Sequence, residues 1–417
     1  MLPAGMRDWL PAEARALSAL SQRVLGCFES FGYDRVTVPA FEFAEVLERG
    51  LGSLDPAEVL RFVEPQTGEV VALRPDMTPQ IARLSTSRLA DRPWPARICY
   101  EGSVVRLRRQ RARLRRQIPQ AGIELLGADA AAGDKEVLEV AIAAVRAAGL
   151  ADFVLDLSHA RVAGALLDAV AAPHRVGLIE ALSLRDPALL SARAQAAKIA
   201  APVRDGLLAL LDLAGGPQVL AAARARLAQT PAAEGVEVLE GLVQWAEGSG
   251  LAPRVFVDLA DVRHLAYYTG ALFQILAEGP GEPVVSGGRY DGLLERFGVP
   301  RPAAGFAVDL DNLAWAVGAP AADVPARVLL HGGEATLSQE IARGVRGQGV
   351  PVAICETDGD AYARSWGFSH RADLSAGTLI DLRGGGQSAL GGSGASEVTD
   401  QIVAALRPRA QSSGGET

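Results

Sequence analysis

The stretch from about Ser158 to Gly250 constrains the fold more than any other part of the sequence. It is rich in Ala and Leu and poor in β-branched residues, and prolines such as Pro173 and Pro187 divide it into short blocks. This composition predicts several consecutive helices. Patterns typical of antiparallel hairpins lie on both sides of it. We therefore expect a helical insert at about 158–250 within a sheet-containing core, which places the chain in the α+β class.

The rest of the chain suggests a second, smaller domain. A stretch rich in Gly, Ala and Pro ends the core, which we place at residues 1–320. Beyond it, short β-branched runs alternate with helical spacing, and this predicts a small α/β C-terminal domain at residues 326–407. The polar tail, residues 408–417, is predicted to be disordered.

Two local features carry specific structural predictions. Asp134–Gly149 is predicted to be a helix, with Asp134 as its N-cap and Gly149 as its stop. Ser286-Gly-Gly288 is predicted to be a turn at which bare backbone approaches a ligand. The turn belongs to the longer segment SGGRYDG, which lacks any Walker or dinucleotide-binding pattern.

Composition and charge exclude several classes of function. The 417 residues carry a net charge of −8, which argues against general nucleic-acid binding by the whole surface. No run of about 18 apolar residues lacks a charge, and the N-terminus lacks the apolar core of a signal peptide, so we expect neither a membrane span nor secretion. Cys27, Cys99 and Cys355 form no CxxC pair, which fits a reducing cytoplasm and predicts no metal site.

Two pairs of polar residues are candidates for binding an amine or an imidazole. Asp76 and Thr78 lie between a predicted strand and a predicted helix, where both can accept hydrogen bonds from an ammonium group. Capping of that helix is the structural alternative. Gln120 and Glu124 are four residues apart with Gly122 between them, so in a strand they share one face. An exposed polar strand face is the alternative for this second pair.

Arginines and tyrosines supply two further candidate sites. Seven arginines between Arg106 and Arg116 form a basic run that suits an anionic partner, although a solvated loop explains them equally well. Arg263 precedes the adjacent Tyr267 and Tyr268. The guanidinium can bind a carboxylate through two parallel hydrogen bonds, and the tyrosines offer an aromatic wall with hydroxyl groups.

These segments occur in an order that resembles a known family. LRPDMTPQIAR, the Arg106…Gln120…Glu124 spacing, DVRHLAYYTGALF, SGGRYDGL and PAAGFAVDL together resemble the catalytic core of histidyl-tRNA synthetase over about residues 3–317. The resemblance implies the class II aminoacyl-tRNA synthetase fold, an antiparallel sheet flanked by helices. Residues 326–407 resemble the family's anticodon-binding domain in size and alternation.

The resemblance separates retained positions from altered ones. Positions that hold free histidine in the family are matched here by Asp76, Thr78, Arg106, Gln120, Glu124, Arg263, Tyr267 and Tyr268. Asp311-Asn312 stands where the family has a Glu-Arg pair whose arginine binds the terminal phosphates of ATP. Arg108 and Ile118 replace a glutamate and an aromatic residue. An uncharged Asn cannot replace a phosphate-binding guanidinium.

This pattern resembles the family's non-catalytic paralogue, the regulatory subunit of ATP phosphoribosyltransferase. It implies a cytoplasmic chain without enzymatic activity or cofactor that binds L-histidine and a short-form catalytic ATP phosphoribosyltransferase subunit. Such a chain is needed for the activity of that subunit and for feedback inhibition of the first step of histidine biosynthesis. It also implies a homodimer within a hetero-oligomer, and we expect no tRNA binding. Two alternatives stay open: an active histidyl-tRNA synthetase, and an RNA-binding homologue that only the arginine run supports.

Overall fold

The chain divides into two units, Met1–Pro320 and Ala321–Thr417. This computed structural model describes residues 1–51, 59–107, 115–251, 254–262, 267–318, 325–356, 359–392 and 394–406. Arg108, Arg263 and the predicted tail at 408–417 therefore lie outside the described residues. Within the described residues, no helix combines the length and the apolar character that a bilayer span needs.

A large and mostly antiparallel sheet lies at the centre of the first unit. The strands of this unit are β1 (Asp34–Val36), β2 (Phe41–Phe43), β3 (Arg61–Val63), β4 (Val70–Leu73), β5 (Ala96–Val105), β6 (Gln117–Leu126), β7 (Val154–His159), β8 (Ala214–Gly215), β9 (Val255–Asp258), β10 (Ala271–Leu276), β11 (Val285–Arg289) and β12 (Ala303–Asp309). Nine of them form the sheet in the order β1-β5-β6-β12-β11-β10-β7-β9-β8, and β2-β4-β3 form a smaller one. In the large sheet, β1–β5 and β7–β9 are the parallel pairs.

Helices cover this sheet and fill the predicted insert. They are α1 (Pro11–Ser30), α2 (Ala44–Leu51), α3 (Thr78–Ser87), α4 (Ala130–Ala147), α5 (Ala160–Asp168), α6 (Ala172–Ser183), α7 (Pro187–Ala196), α8 (Ala201–Leu210), α9 (Val219–Leu227), α10 (Ala233–Gly248), α11 (Gly292–Glu295) and α12 (Leu310–Ala316). Prolines stand in the first turn of α6, α7 and α8, where a missing N–H costs no hydrogen bond. Helices thus alternate with antiparallel strands, which confirms the α+β class.

The two faces of the large sheet pack differently. On one face, Ile123, Leu125 and Phe306 belong to the main core together with α1, α4 and the insert helices. On the opposite face, a smaller cluster joins Tyr100 and Tyr290 to α3 and α11. Because side chains alternate along a strand, Gln120 and Glu124 point to this second face, away from Ile123 and Leu125. We call it the site face.

Two local predictions are wrong. Helix α4 begins at Ala130 with Asp129 as its N-cap, so Asp134 lies inside the helix and binds Arg289 instead of capping it. Ser286-Gly-Gly288 is not a turn but the middle of β11, paired with β10 and β12. The glycines are needed there because an added Cβ at Gly287 would lie 2.4 Å from the Cβ of Phe306. The predicted helix stop is confirmed, since Gly149 follows α4 with a φ of +103°.

The second unit is a five-stranded sheet with helices. Its elements are β13 (Val328–His331), α13 (Ala335–Gly347), β14 (Val352–Cys355), α14 (Asp360–Ser365), β15 (His370–Asp373), β16 (Thr378–Asp381), β17 (Gln387–Ala389) and α15 (Ala395–Leu406). The spatial order is β14-β13-β15-β16-β17, with the first three strands parallel and the last two antiparallel. Its core joins β13 and β15 to apolar residues of α13 and α15, such as Ile341 and Ile402.

Candidate functional site

Glu124 is the centre of a polar cluster on the site face. It lies on β6 and is 1% exposed. The hairpin register places Tyr100 of β5 opposite Gly122, next to Glu124 along the strand. An added Cβ at Gly122 would lie 2.6 Å from the Tyr100 hydroxyl. The glycine between the two polar residues therefore gives Tyr100 the space to cross β6 and reach Glu124.

Three hydroxyl groups donate hydrogen bonds to the Glu124 carboxylate. Thr78 Oγ1, at the start of α3, lies 2.6 Å from Oε1, and the Tyr100 hydroxyl lies 3.1 Å from the same oxygen. The hydroxyl of Tyr290, which follows β11, donates to Oε2. The buried Glu124 carboxylate therefore joins three parts of the chain: the start of α3, strand β5 and the residue that follows β11.

Burial raises the pKa of the Glu124 carboxyl and makes it a weaker acid than an exposed glutamate. Loss of solvent is the main cause that raises the pKa of Glu124, and the nearby Asp76 carboxylate adds to it, while the three hydroxyl donors act in the opposite direction; the net result is a pKa of about 8. A ligand that brings a positive charge or an N–H donor to Glu124 favours the ionised form. The position therefore suits an amine or an imidazole.

Asp76 and Arg106 form the rim of the same cluster. Asp76 Oδ1 accepts from the Thr78 backbone N–H at 2.9 Å, and Asp76 Oδ2 lies 3.3 Å from an Arg106 nitrogen. Arg106 also donates to the carbonyl of Pro75 at 2.6 Å. Asp76 thus accepts a hydrogen bond from the first N–H of α3 and also forms an ion pair with Arg106. The Asp76 side chain is 32% exposed. The hydrogen bond to the Thr78 N–H is the contact that the capping alternative predicts at this helix start, and binding of an ammonium group stays a prediction.

The adjacent tyrosines form an aromatic wall beside Glu124. The ring centroids of Tyr267 and Tyr268 lie 5.0 Å apart, and Tyr290 lies 5.0 Å from Tyr267 and 6.0 Å from Tyr268. Burial raises the pKa of both adjacent tyrosines, and the charges of Asp76 and Glu124 add to the shift. Their hydroxyls therefore stay protonated, so they can donate or accept hydrogen bonds.

The structure brings together six of the eight predicted site residues by contacts or by electrostatic interaction. We call this group, with Tyr100 and Tyr290, the Glu124 pocket: Asp76, Thr78, Tyr100, Arg106, Glu124, Tyr267, Tyr268 and Tyr290. Gln120 is buried on the same strand face as Glu124, but about 13 Å further along β6, at the level of Gly102 and Asp309. Arg263 lies outside the described residues.

Tyr100 and Tyr290 are pocket residues that sequence reasoning missed. Tyr290 lies in the segment SGGRYDG described above, yet neither Tyr290 nor Tyr100 was predicted to belong to the site. The pairing of Tyr100 with Gly122 depends on the hairpin register. Tyr290 is 166 positions from Glu124 along the chain, so no local pattern connects the two.

A second group surrounds Asp311 and Asn312, at the start of α12. The Asn312 amide donates to the Pro283 carbonyl at 2.9 Å, and its backbone N–H is capped by Asp309. Asp311 pairs with Arg115 and lies 3.9 Å from a nitrogen of Arg7. We call Arg7, Arg115, Pro283, Asp311 and Asn312 the Asn312 corner. Its polar groups are engaged with each other and with backbone.

A cleft of about 640 Å³ lies on the same side of the sheet, over β7, β9 and β10. Its charged lining residues are Asp156, Arg185, Asp258, Asp261 and Glu282. Arg185 pairs with Asp258. In the described part of the chain, no group of three or more His, Cys, Asp or Glu residues is arranged to hold a metal ion.

Comparisons with known proteins identify relatives of this chain. Residues 5–313 match the family model described as Histidyl-tRNA synthetase. An ATP phosphoribosyltransferase regulatory subunit from Anaeromyxobacter sp. (strain Fw109-5) is 46% identical over 312 residues, which cover 74% of this chain and 91% of the relative. A regulatory subunit of the same name from Moorella thermoacetica is 38% identical over 366 residues, covering 87% and 93%.

Solved structures agree with these relatives. An ATP phosphoribosyltransferase regulatory subunit/histidyl-tRNA synthetase from Bacillus halodurans C superposes with a TM-score of 0.77 at 30% identity, covering 89% of this chain and 97% of that one. Histidyl-tRNA synthetase from Nostoc sp. PCC 7120 superposes with a TM-score of 0.74 at 21% identity, covering 97% and 99%. The second match supports the fold alone, and together they confirm the class II synthetase-like architecture.

Proposed function

The chain belongs to the histidyl-tRNA synthetase-like family, among the regulatory subunits of ATP phosphoribosyltransferase. We propose that it binds L-histidine in the Glu124 pocket, associates with a short-form catalytic ATP phosphoribosyltransferase subunit that needs it for activity, and conveys feedback inhibition by histidine. We propose further that it has no synthetase activity and forms a homodimer within the hetero-oligomer.

The observation that carries the proposal is the buried Glu124 carboxylate, held by three hydroxyls beside an aromatic wall. Histidine carries an imidazole, an ammonium and a carboxylate. Glu124 supplies an acceptor for an imidazole N–H, and the three tyrosines provide the flat surface that an aromatic ligand packs against. Asp76 and the Thr78 hydroxyl supply acceptors for the ammonium group, and Arg106 supplies a positive charge for the carboxylate.

The Asn312 corner supports a non-catalytic role. Activation of an amino acid by ATP needs positive groups on the phosphates as charge develops in the transition state. Asn312 is neutral and donates to the Pro283 carbonyl, and Asp311 forms ion pairs with Arg115 and Arg7. This environment disfavours ATP even where histidine fits.

Association and inhibition are tested with the two chains together. Co-expression with the short-form catalytic subunit of the same organism should give a complex that survives gel filtration and loses activity as histidine is added. Tyr268→Ala should shift the inhibition curve to higher histidine concentration, and Tyr362→Ala, an exposed tyrosine of the second unit, should not. Light scattering of the isolated chain measures its oligomeric state. A complex that fails to form would overturn the regulatory proposal.

Synthetase activity is tested on the isolated chain. ATP–pyrophosphate exchange with millimolar histidine should stay at the level of a control without protein. Exchange above that level would favour the alternative, an active histidyl-tRNA synthetase.

A further inference from the structure

Arg289 carries a buried charge that has no direct part in the proposed histidine site. It is the last residue of β11 and is 3% exposed. Its side chain points to the helix-covered face of the sheet, where α4 lies, while the next residue, Tyr290, points to the site face and binds Glu124. These two neighbours in sequence therefore connect the two faces.

The Arg289 guanidinium has three partners. Its Nε donates to Asp134 Oδ1 of α4 at 2.7 Å, one Nη donates to Asp291 Oδ1 at 2.9 Å, and the other lies 3.4 Å from the Ala130 carbonyl. Asp134 is itself 7% exposed. A buried pair with additional hydrogen bonds holds its geometry, and removing one partner leaves a buried charge uncompensated.

Two glycines leave the space that this side chain fills. An added Cβ at Gly270 would lie 2.8 Å from Arg289 Cδ, and one at Gly133 would lie 3.0 Å from its Nη2. Gly270 precedes β10 and Gly133 lies in the first turn of α4. Arg289 is therefore enclosed on both sides, and its conformation is fixed by packing as well as by charge.

Backbone hydrogen bonds join the Arg289 segment, which includes Tyr290, to the segment of the aromatic wall, Tyr267 and Tyr268. The Thr269 N–H, next to Tyr268, donates to the Arg289 carbonyl at 2.8 Å, and the Asp291 N–H donates to Thr269 Oγ1 at 2.9 Å. The Tyr290 N–H donates to the Ala303 carbonyl at 2.8 Å. These hydrogen bonds fix the backbone that bears Tyr267, Tyr268 and Tyr290, and we call them the Arg289 frame.

We propose that the Arg289–Asp134 ion pair is a positioning device that holds Tyr290 and the Tyr267–Tyr268 segment in the arrangement that binds histidine. This inference rests on the proposed function of the Glu124 pocket. Neither Arg289 nor Asp134 touches the ligand. The ion pair acts on the site indirectly. It fixes the position of Tyr290, whose hydroxyl donates to Glu124, and it fixes the hydrogen-bonded backbone next to Tyr267 and Tyr268.

Asp134→Asn tests this with a matched control on the same helix. It should weaken histidine binding, measured by calorimetry, by about tenfold. Glu136→Gln also removes an α4 carboxylate paired with an arginine, since Glu136 binds Arg97 through both oxygens, yet that pair contacts neither Tyr290 nor the wall. The control should bind histidine within about twofold of the unmodified chain. Equal affinity of Asp134→Asn and the unmodified chain would overturn the proposal.

A double-mutant cycle separates positioning from general loss of stability. In a Tyr290→Phe background, Asp134→Asn should cost clearly less affinity than it does alone, whereas fully additive losses would count against the proposal. If Asp134→Asn fails to fold, Thr269→Val replaces it. Thr269 is exposed, and its hydroxyl is the acceptor for the Asp291 N–H, so this variant should weaken binding by a smaller factor.

A measurement made without histidine separates failure of the positioning role from failure of the proposed function. NMR of tyrosine-labelled protein reports the Tyr290 ring directly, because the chain has only six tyrosines. The Tyr290 signal should move in Asp134→Asn and stay in place in Glu136→Gln. If the unmodified chain binds no histidine, the proposed function fails, and this signal alone decides the positioning role. An unmoved Tyr290 signal would refute it.

Discussion

The Glu124 pocket and the Asn312 corner lie along the same pair of neighbouring strands, yet they differ in what their polar groups face. Glu124 pairs with Gly305 across β6 and β12, and Asp309, which caps α12, pairs with Gln120 at the other end. In the pocket, hydroxyls from three elements converge on one carboxylate. In the corner, side chains are engaged by backbone and by internal ion pairs.

The difference indicates how a synthetase-like scaffold keeps one half of a site and loses the other. Binding an amino acid needs a few acceptors and an aromatic surface, which the pocket still has. Binding a polyphosphate needs uncompensated positive charge, whereas here Arg7 pairs with Glu13 and Asp311, and Arg115 pairs with Asp311. Ligand recognition and nucleotide chemistry can therefore separate without a change of fold.

Gly305→Ala should have the largest effect, because it acts on the pocket and on the sheet together. A Cβ at Gly305 would lie 2.3 Å from the Tyr290 hydroxyl and 2.5 Å from Glu124 Oε2. We expect a loss of about 1–3 kcal/mol in the free energy of unfolding and no measurable histidine binding. Chemical denaturation and calorimetry measure the two. Gly241→Ala in α10, where an added Cβ meets nothing within 4 Å, is the control and should not destabilise the chain.

Glu124→Ala should affect ligand binding more specifically. It removes the charged acceptor, and we expect histidine binding to weaken by about 1.5–3 kcal/mol. Glu101→Ala is the matched control on the neighbouring strand, because Glu101 pairs with Arg35 and Ser21 and not with the pocket. Calorimetry on both variants measures the difference. Unchanged affinity of Glu124→Ala would remove Glu124 from the site.

Much of the fold and part of the pocket follow from local sequence. Hairpins around β5 and β6, the helix stop at Gly149, and the shared face of Gln120 and Glu124 depend on short-range periodicity and turn chemistry. These features need no knowledge of distant residues. They explain why the α+β class and the position of Glu124 were predictable.

The failed predictions depend on distant contacts. Asp134 has the chemistry of an N-cap, but its side chain binds Arg289, 155 positions away, and the helix starts one turn earlier. Gly287 and Gly288 have the composition of a turn, but they are glycines because Phe306 and Tyr268 approach the strand closely. Tertiary packing overrides local preference at both places, and one sequence contains no direct signal of it.

Histidine affinity should depend moderately on pH. The pKa of Glu124 is raised to about 8, so at pH 7 the free pocket holds a proton on this carboxyl. A ligand N–H that donates to Glu124 needs the ionised form, so binding releases that proton and affinity rises as pH increases toward 8. From the ionised fractions we expect a gain of about fivefold between pH 7 and 8. Calorimetry should detect the released proton, and Glu124→Gln should release none. A flat profile for the unmodified chain would contradict this.

Asn312→Arg should have the smallest effect, because we expect it to produce no synthetase activity. It tests directly the difference between the Glu124 pocket and the Asn312 corner. The substitution removes the hydrogen bond from the Asn312 amide to the Pro283 carbonyl. The new guanidinium would lie next to the Asp311 carboxylate, which competes with a phosphate group for the ion pair. Arg108 and Ile118 also depart from the synthetase pattern, so one restored arginine does not rebuild the nucleotide site. ATP–pyrophosphate exchange should stay at background, while calorimetry should give unchanged histidine affinity because the Glu124 pocket is untouched. Exchange restored by this single substitution would mean that the corner differs from an active site by one charge only.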